Sequence, residues 1–260
     1  MSDASPLLAT PAIAAALGPL AVRFDVDVLA SCESSNGELM RRAEAGAASG
    51  TVVVAERQTA GRGRMGRTWF AAPGASLTFS LLWRFARGTV PYGLSLAVGV
   101  AVAEALNGIG VPDVVLKWPN DLLRGGRKLA GVLVELAPGA PHAAVIGIGL
   151  NLRLPPDMPE EVRALAAALD ADVAPADLLA RLLESLHGVL GEFAADGFYA
   201  VRDRWLARCA HLDMPVQILS EFAPPLSGRC VGVDVDGALM LETSVCVQRI
   251  LSGDVSLRKA

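Results

Sequence analysis

The residues best suited to chemistry in this sequence lie in an arginine- and glycine-rich segment at positions 58–69. It contains Arg62, Arg64 and Arg67 interspersed with glycines. An arginine side chain is always charged, and its forked donors match carboxylate and phosphate oxygens. Glycine allows a ligand to approach the backbone closely. The segment therefore predicts a site for a small anion, with a flexible arginine-rich surface loop as the alternative.

The glycine spacing in this segment formally matches a dinucleotide-binding fingerprint, but its surroundings do not. That fingerprint requires a helix to begin inside the glycine run. Here Pro73 and Gly74 predict a turn, and the apolar residues 77–83 predict a strand. The segment is not a P-loop either, because no Gly-Lys-Ser/Thr sequence closes it. We expect a long loop between this strand and an earlier one at residues 51–55.

Two serines follow a predicted strand at residues 23–29. Ser35, with Glu38 three positions later, predicts a capping box that opens a helix through about residue 48. The side chains of Ser34, Ser35 and Asn36 are then explained either by helix capping alone or by contact with a ligand.

A third polar group follows a predicted strand that begins at residue 114. Asn120 and Asp121 come directly after Pro119, and Lys128 begins the next predicted strand, at residues 128–135. In isolation, Asn120 and Asp121 are typical turn residues, and Lys128 is typical of a solvated strand end.

Two glycines interrupt the predicted strand at residues 143–151, which ends at Asn151. Gly147 and Gly149 indicate either close approach of a ligand or tight packing of a helix against the strand. Helices are predicted at residues 94–109 and 160–169, and over 175–208 with a break near 194–197.

The composition excludes several classes of protein. A net charge of -4 argues against a general nucleic-acid binder, and 52% hydrophobic residues are enough for a substantial core. No apolar run reaches the ~18 residues that span a bilayer. The four cysteines form no CxxC pair and the three histidines are scattered, so we expect reduced thiols, a cytoplasmic location and no zinc site built by the protein.

The last part of the chain changes character. Short alternating strands follow residue 213, and Asp236-Gly237 between apolar residues is a strong hairpin signal. We expect two domains, a larger one over residues 1–213 and a small β-barrel over residues 214–260.

Taken together and in order, these stretches resemble the biotin protein ligases, also called biotin–[acetyl-CoA-carboxylase] ligases. The resemblance extends from about residue 23 to residue 258, and its most specific parts are the arginine–glycine loop and Lys-Trp-Pro-Asn-Asp at 117–121. It implies an α+β fold, in which a mixed sheet with helices forms a class II synthetase-like catalytic domain before an SH3-like barrel. About twenty residues precede the first strand, so we expect the form without an N-terminal DNA-binding domain.

The resemblance implies an ATP-dependent ligase that forms biotinyl-5'-AMP and passes biotin to one lysine of the biotin carboxyl carrier protein of acetyl-CoA carboxylase. Mg²⁺ would accompany ATP and take few protein ligands. It implies neither a DNA nor a membrane partner, and a monomer or homodimer.

The family's functional positions map onto individual residues of this chain. Catalytic roles are implied for Arg64 and Lys128. The positions implied at biotin are Ser34, Ser35, Gln58, Gly61, Arg62, Arg64, Lys128 and Gly131. The positions implied at the nucleotide are Arg64, Arg67, Trp69, Asn120, Asp121, Lys128, Asn151 and Arg258. For Trp69, core packing is an equal alternative.

Two other functions remain open from the sequence. One is a lipoate or octanoate ligase on the same fold, although an apolar lipoyl group does not need the hydroxyl and amide groups of Ser34, Ser35 and Gln58. The other is a biotin-sensing binding module without turnover, against which the full set of cationic residues argues.

Overall fold

The computed structural model describes residues 8–155, 158–220, 224–251 and 255–259, with side chains left out at 141, 220 and 255–259. The helices in this part of the chain are α1 (Thr10–Leu17), α2 (Ser35–Glu44), α3 (Leu94–Gly108), α4 (Glu160–Arg163), α5 (Pro175–Asp196) and α6 (Arg202–Leu206). The strands are β1 (Asp25–Leu29), β2 (Thr51–Ala55), β3 (Ser76–Arg84), β4 (Val114–Lys117), β5 (Asp121–Arg124), β6 (Arg127–Ala137), β7 (Ala140–Asn151), β8 (Pro215–Ser220), β9 (Leu226–Val233), β10 (Leu239–Glu242), β11 (Val247–Ile250) and β12 (Val255–Lys259).

The chain divides into two units. Unit one comprises residues 1–90 and 125–185, and unit two comprises residues 91–124 and 186–260. The division differs from the predicted boundary after residue 213, which stays a prediction.

Unit one is built on a mixed sheet with the strand order β1-β2-β3-β7-β6. β1 and β2 are parallel, whereas β2–β3, β3–β7 and β6–β7 are antiparallel. β2 is buried along its whole length, as its β-branched sequence predicts. Gly147 of β7 lies between Ser80 of β3 and Leu133 of β6, and Gly149 pairs with Gly131. These two glycines share one face of β7 because side chains alternate along a strand.

Helix α2 covers part of this sheet. Leu39 and Ala43, one helical turn apart, pack in a cluster with Val53, Leu82 and Val145. The helix begins after Ser34, whose Oγ accepts a hydrogen bond from the Gly37 backbone nitrogen at 3.5 Å. The capping residue is thus Ser34, and the predicted capping box at Ser35 is wrong by one position.

Unit two contains the buried helix α3 and the β4–β5 hairpin. The turn of this hairpin includes a cis peptide bond between Trp118 and Pro119. The Trp118 indole is buried and donates a hydrogen bond to the Gly237 carbonyl at 3.0 Å. Gly237 has a φ of 83°, and a Cβ there would be 2.8 Å from the Gly93 Cα atom. The turn between β9 and β10 therefore requires glycine at position 237 for both its conformation and its packing.

The C-terminal strands form an antiparallel sheet with the order β11-β10-β9-β8-β12. The Asp236-Gly237 hairpin between β9 and β10 is confirmed, since the Asp234 nitrogen bonds to the Ala238 carbonyl at 2.8 Å. The mixed sheet with helices and this small sheet, which matches an SH3-like domain, confirm the predicted α+β fold class.

Two helix predictions need correction. α2 ends at Glu44 instead of continuing to about residue 48. α4 ends at Arg163, so the helix predicted over 160–169 is wrong in its second half. There the Lys128 nitrogen bonds to the Leu165 carbonyl, and the Ala167 nitrogen bonds to the Lys128 carbonyl. Tertiary pairing with β6 has replaced helical hydrogen bonds in an alanine-rich segment of high helix propensity.

Among the described residues, no helix has the length and apolar character needed to cross a bilayer.

Candidate active site

The arginine–glycine loop of unit one leaves β2 and folds back on itself. Near its base, the Trp69 nitrogen bonds to the Gly61 carbonyl at 2.9 Å, and further out the Gly63 nitrogen bonds to the Arg67 carbonyl. A short 3₁₀ turn at Arg64–Gly66 forms the tip. The loop therefore has its own backbone hydrogen bonds, and its ends meet at Trp69 and Gly61.

Trp69 lies on a bare patch of the sheet made by the paired glycines of β6 and β7. A Cβ added to Gly149 would be 2.3 Å from the Trp69 ring, and one added to Gly131 would be 3.4 Å from it. The indole Nε1 is buried and has no hydrogen-bond acceptor within the described parts of the chain. The sequence predicted either a ligand or a helix against Gly149, and in the structure the neighbour is instead the ring of the loop residue Trp69.

Lys128 lies at the same place. Its Nζ is 5.6 Å from the centroid of the Trp69 ring, within the range of a cation–π contact. A Cβ at Gly131 would be 3.2 Å from this Nζ, so the glycine leaves room for the lysine side chain. The 165–167 segment fixes the Lys128 backbone on both its nitrogen and its carbonyl oxygen. The backbone of Lys128 is therefore anchored, and its ammonium lies beside the Trp69 ring at the end of the loop.

Asn151, at the end of β7, holds the backbone next to Lys128 in place. Its Nδ2 donates to the Lys128 carbonyl at 3.3 Å and to the Ala167 carbonyl at 3.1 Å, and the residue is buried. These contacts hold the backbone of the lysine and its neighbouring segment.

Two of the residues that the resemblance implies at biotin, Ser35 and Gln58, also come together. The Gln58 Oε1 accepts a hydrogen bond from the Ser35 nitrogen at 2.8 Å and lies 3.2 Å from the Ser35 Oγ. This fixes the Gln58 amide with its oxygen towards Ser35, because an amide nitrogen could not accept from that N–H. The Gln58 Nε2 would be 3.3 Å from a Cβ at Gly61, so the same amide reaches the base of the loop.

The sequence assigned no role at the site to three polar residues beside this cluster. Ser80 of β3 is fully buried, and its Oγ lies 2.8 Å from the Ser35 Oγ and 2.5 Å from the Asn36 Oδ1. The Asn36 Nδ2 in turn donates to the Glu135 carboxylate at 2.8 Å. The available signal was Thr78 and Ser80, two polar residues on one face of an otherwise apolar strand.

The three loop arginines differ in their surroundings. The Arg62 Nη2 is 3.6 Å from the Glu135 Oε2, in an ion pair whose members are both partly exposed. Arg64 is half-buried at the tip, and Arg67 is exposed. The positive charge of Arg62 is thus partly balanced within unit one.

The remaining predicted site residues belong to unit two. Asn120 lies in the β4–β5 turn, and Asp121 begins β5 opposite Lys117. Arg258 lies in β12, but its side chain is outside the described residues. In the described part of the chain, no group of three or more His, Cys, Asp or Glu side chains is arranged to hold a metal ion.

Known proteins resemble this chain in both sequence and fold. Residues 32–151 match the biotin/lipoate A/B protein ligase family, and residues 211–258 match the biotin protein ligase C-terminal domain. The biotin–[acetyl-CoA-carboxylase] ligase of Mycobacterium tuberculosis is 36% identical to this chain over 88% of each protein. The chain belongs to the biotin protein ligase family.

Other members of the family extend the similarity. The bifunctional ligase/repressor BirA of Salmonella typhimurium is 37% identical over 91% of this chain and 75% of its own length. The biotin protein ligase of Aquifex aeolicus, solved in complex with biotin and ATP, matches with a TM-score of 0.80 and 31% identity. That match covers 91% of this chain and 99% of the Aquifex chain, so the two share the fold of both regions.

Proposed function

We propose that this chain joins biotin to ATP to form biotinyl-5'-AMP and then transfers the biotinyl group to a lysine of a biotin carboxyl carrier protein. In the first step a biotin carboxylate oxygen attacks the α-phosphorus of ATP, and pyrophosphate leaves. In the second step the lysine amine attacks the biotinyl carbonyl, and AMP leaves. The acceptor proposed is the carrier protein of acetyl-CoA carboxylase.

The single observation that carries this proposal is the placement of Lys128. Its ammonium lies beside the Trp69 ring at the base of the loop that bears Arg62 and Arg64. Bringing a carboxylate to a phosphate concentrates negative charge, and fixed cations stabilise this charge in the transition state. In the proposed site, Lys128 and Arg64 flank the biotin carboxylate and the α-phosphate.

Specificity for biotin is proposed to come from polar side chains at the start of helix α2 and in the residues after β2. A ureido ring has one carbonyl acceptor and two N–H donors, which suits hydroxyl and amide side chains. Ser35 and Gln58 supply such groups, and Ser34 lies beside them as the cap of α2. A lipoyl group would leave these polar atoms unpaired, which favours biotin over lipoate. Gly61 and Gly131 provide space beside the proposed ligand.

The nucleotide is proposed to contact Trp69 and Arg67 of unit one, while the nucleotide roles that the resemblance implies for Asn120, Asp121, Asn151 and Arg258 stay predictions. The buried Trp69 N–H is a donor that a ligand oxygen would satisfy. Mg²⁺ is proposed to accompany ATP, bound mainly by phosphate oxygens and water. Asp121, in unit two, carries a carboxylate, the ligand type that Mg²⁺ prefers. The four cysteines are free thiols, which supports a cytoplasmic reaction.

Pyrophosphate release from ATP tests this proposal and separates its alternatives. We expect release with biotin and Mg²⁺, little release with lipoate or octanoate, and none after chelation of Mg²⁺. Release with lipoate in place of biotin would identify a lipoate ligase. Biotin binding by the folded protein without pyrophosphate release would identify a binding module.

A further inference from the structure

A continuous series of polar contacts connects the proposed ureido pocket with the arginine loop through the interior of unit one. It begins at Ser35, passes through Ser80 and Asn36, and reaches Glu135, whose carboxylate pairs with Arg62. Its middle members are buried, with Asn36 exposing 3% and Ser80 0% of their surface. Buried polar groups are costly unless they are paired, so breaking one contact disturbs its neighbours.

The direction of these hydrogen bonds follows from the chemistry of the groups. The Asn36 Nδ2 donates to the Leu133 carbonyl at 3.2 Å and to Glu135, so its Oδ1 faces Ser80 and accepts. The only proton of the Ser80 hydroxyl is then used towards Asn36, at 2.5 Å. The Ser35 hydroxyl also has a single proton, for which the Ser80 Oγ at 2.8 Å and the Gln58 Oε1 at 3.2 Å are the neighbouring acceptors. This leaves the lone pairs of Ser35 to accept from a ligand N–H.

The position of Asn36 depends on a glycine in the adjacent strand. A Cβ at Gly147 would lie 2.3 Å from the Asn36 Oδ1 and 2.9 Å from its Cγ. Only glycine at this position leaves Asn36 space between Ser80 and Leu133. The sequence interpretation of Gly147 as a site of helix packing is thus confirmed, with a polar side chain as the packed group.

We infer that Ser80, Asn36 and Glu135 are positioning residues that couple the biotin pocket to Arg62. Ser80 and Asn36 orient the Ser35 hydroxyl as an acceptor for a ureido N–H. Asn36 also holds the Glu135 carboxylate in the position that pairs with Arg62. Occupation of the pocket and placement of the loop arginine are thereby linked through Asn36. This inference rests on the proposed function, since it assumes that biotin occupies the pocket.

The experiment uses the full chain with Ser80→Ala, Glu135→Gln and the double variant. Thr78→Val is the matched control, because Thr78 is a buried hydroxyl on the same face of β3 that bonds to the Ala55 carbonyl outside this series. Two quantities are measured: the biotin KM and kcat for pyrophosphate release, and the rate of trypsin cleavage after Arg62 with saturating biotin and no ATP. Mass spectrometry separates this cleavage from that after Arg64 or Arg67.

Each single variant is expected to raise the biotin KM about tenfold, the effect of losing roughly one buried hydrogen bond, with a smaller change in kcat. Each is also expected to speed cleavage after Arg62 in the presence of biotin. The double variant is expected to have a biotin KM close to that of the single variants, because the effects of substitutions within one hydrogen-bonded series are not additive. Thr78→Val should change neither quantity by more than about twofold.

Multiplicative effects of the two substitutions on KM, or unchanged cleavage after Arg62, would overturn the coupling. An equal effect of Thr78→Val would overturn it too, since the loss would then reflect general packing of β3. If Ser80→Ala does not fold, Glu135→Gln still tests the coupling, because Glu135 lies at the half-exposed end of the series. Its biotin KM and its rate of cleavage after Arg62 are then the two measurements. If the wild-type protein releases no pyrophosphate with biotin, the proposed function itself is overturned. If the wild type is active but Ser80 and Glu135 act independently of each other, only the coupling is overturned.

Discussion

The Trp69 ring lies directly on the backbone of Gly149, at a distance that excludes any other residue there. A Cβ at Gly149 would be 2.3 Å from Cε2 and 2.7 Å from Nε1 of the indole. The same ring lies under the Lys128 ammonium. A single glycine in the central sheet thus determines where the end of the arginine loop meets the proposed catalytic lysine.

Gly149→Ala should displace Trp69 and lower the rate of adenylate formation by about tenfold or more, since small misplacements of a site are costly to catalysis. Pyrophosphate release measures the rate, and circular dichroism checks the fold. Gly188→Ala is the matched control, because Gly188 has no atom within 4 Å of an added Cβ. A Gly149 variant with wild-type rate would show that the ring position is unimportant.

Lys128→Ala is expected to reduce adenylate formation about 10²-fold while the protein stays folded, because one oriented charge at a developing anion is worth roughly 3 kcal/mol. The backbone of Lys128 is held by residues 165 and 167, so removing the side chain leaves these contacts intact. Arg127→Ala, at the exposed neighbouring position, is the control. Near-normal pyrophosphate release from the Lys128 variant contradicts its catalytic role.

Arg64→Gly is expected to form biotinyl-5'-AMP but release it, because a loop that covers a reactive mixed anhydride keeps it from water and other amines. Serum albumin added to the reaction should become biotinylated, as detected with labelled streptavidin. An added acceptor is needed, since the chain has lysine only at positions 117, 128 and 259. Arg87→Gly, in an exposed segment elsewhere, should not leak. No albumin labelling by the Arg64 variant would argue for a loop without a covering role.

The same loop predicts a protease result in the wild-type protein. Ordering a loop costs about 1–2 kcal/mol per residue in backbone entropy, which anionic ligands bound by its arginines can offset. Biotin with ATP is therefore expected to slow trypsin cleavage after Arg62, Arg64 and Arg67. Equal cleavage with and without ligands would indicate that the loop is a static wall of the pocket.

Trp118→Phe tests the packing of unit two. It removes the donor to the buried Gly237 carbonyl and should lower stability by about 1–2 kcal/mol. For a chain of this size that is a decrease in Tm of roughly 2–8 °C, measurable by calorimetry. An unchanged Tm would mean that water replaces the indole at this carbonyl.

The sequence predicted most elements of the sheet because their apolar runs are clear. β2 is a continuous apolar run rich in β-branched residues, and Asp236-Gly237 marks the hairpin between β9 and β10 unambiguously. The segment after α4 could not be predicted, because its alanines favour a helix locally and the competing partner, Lys128, is more than thirty positions away in sequence. Local propensity carries no information about such a pairing.

The site was predicted through the family resemblance, because Lys128 in isolation is typical of a solvated strand end. Ser35, Gln58 and Lys128 were assigned to the site in that way. In the structure Ser35 contacts Gln58, and Lys128 lies beside Trp69. The roles of Asn36 and Glu135 could not be read from the sequence, because an asparagine in a first helical turn is common and their contact joins positions 36 and 135. Their roles depend on the register of β6 and β7, which only the folded sheet defines.

Intact mass spectrometry of a purified carrier domain tests the central claim most directly. The domain is incubated with this chain, biotin, ATP and Mg²⁺, next to a domain whose acceptor lysine is replaced by arginine. One biotin adduct on the wild-type domain, none on the arginine variant and none without ATP are the expected results. A carrier domain that stays unmodified, although the wild-type chain is folded and binds biotin, would contradict the assignment as a biotin protein ligase.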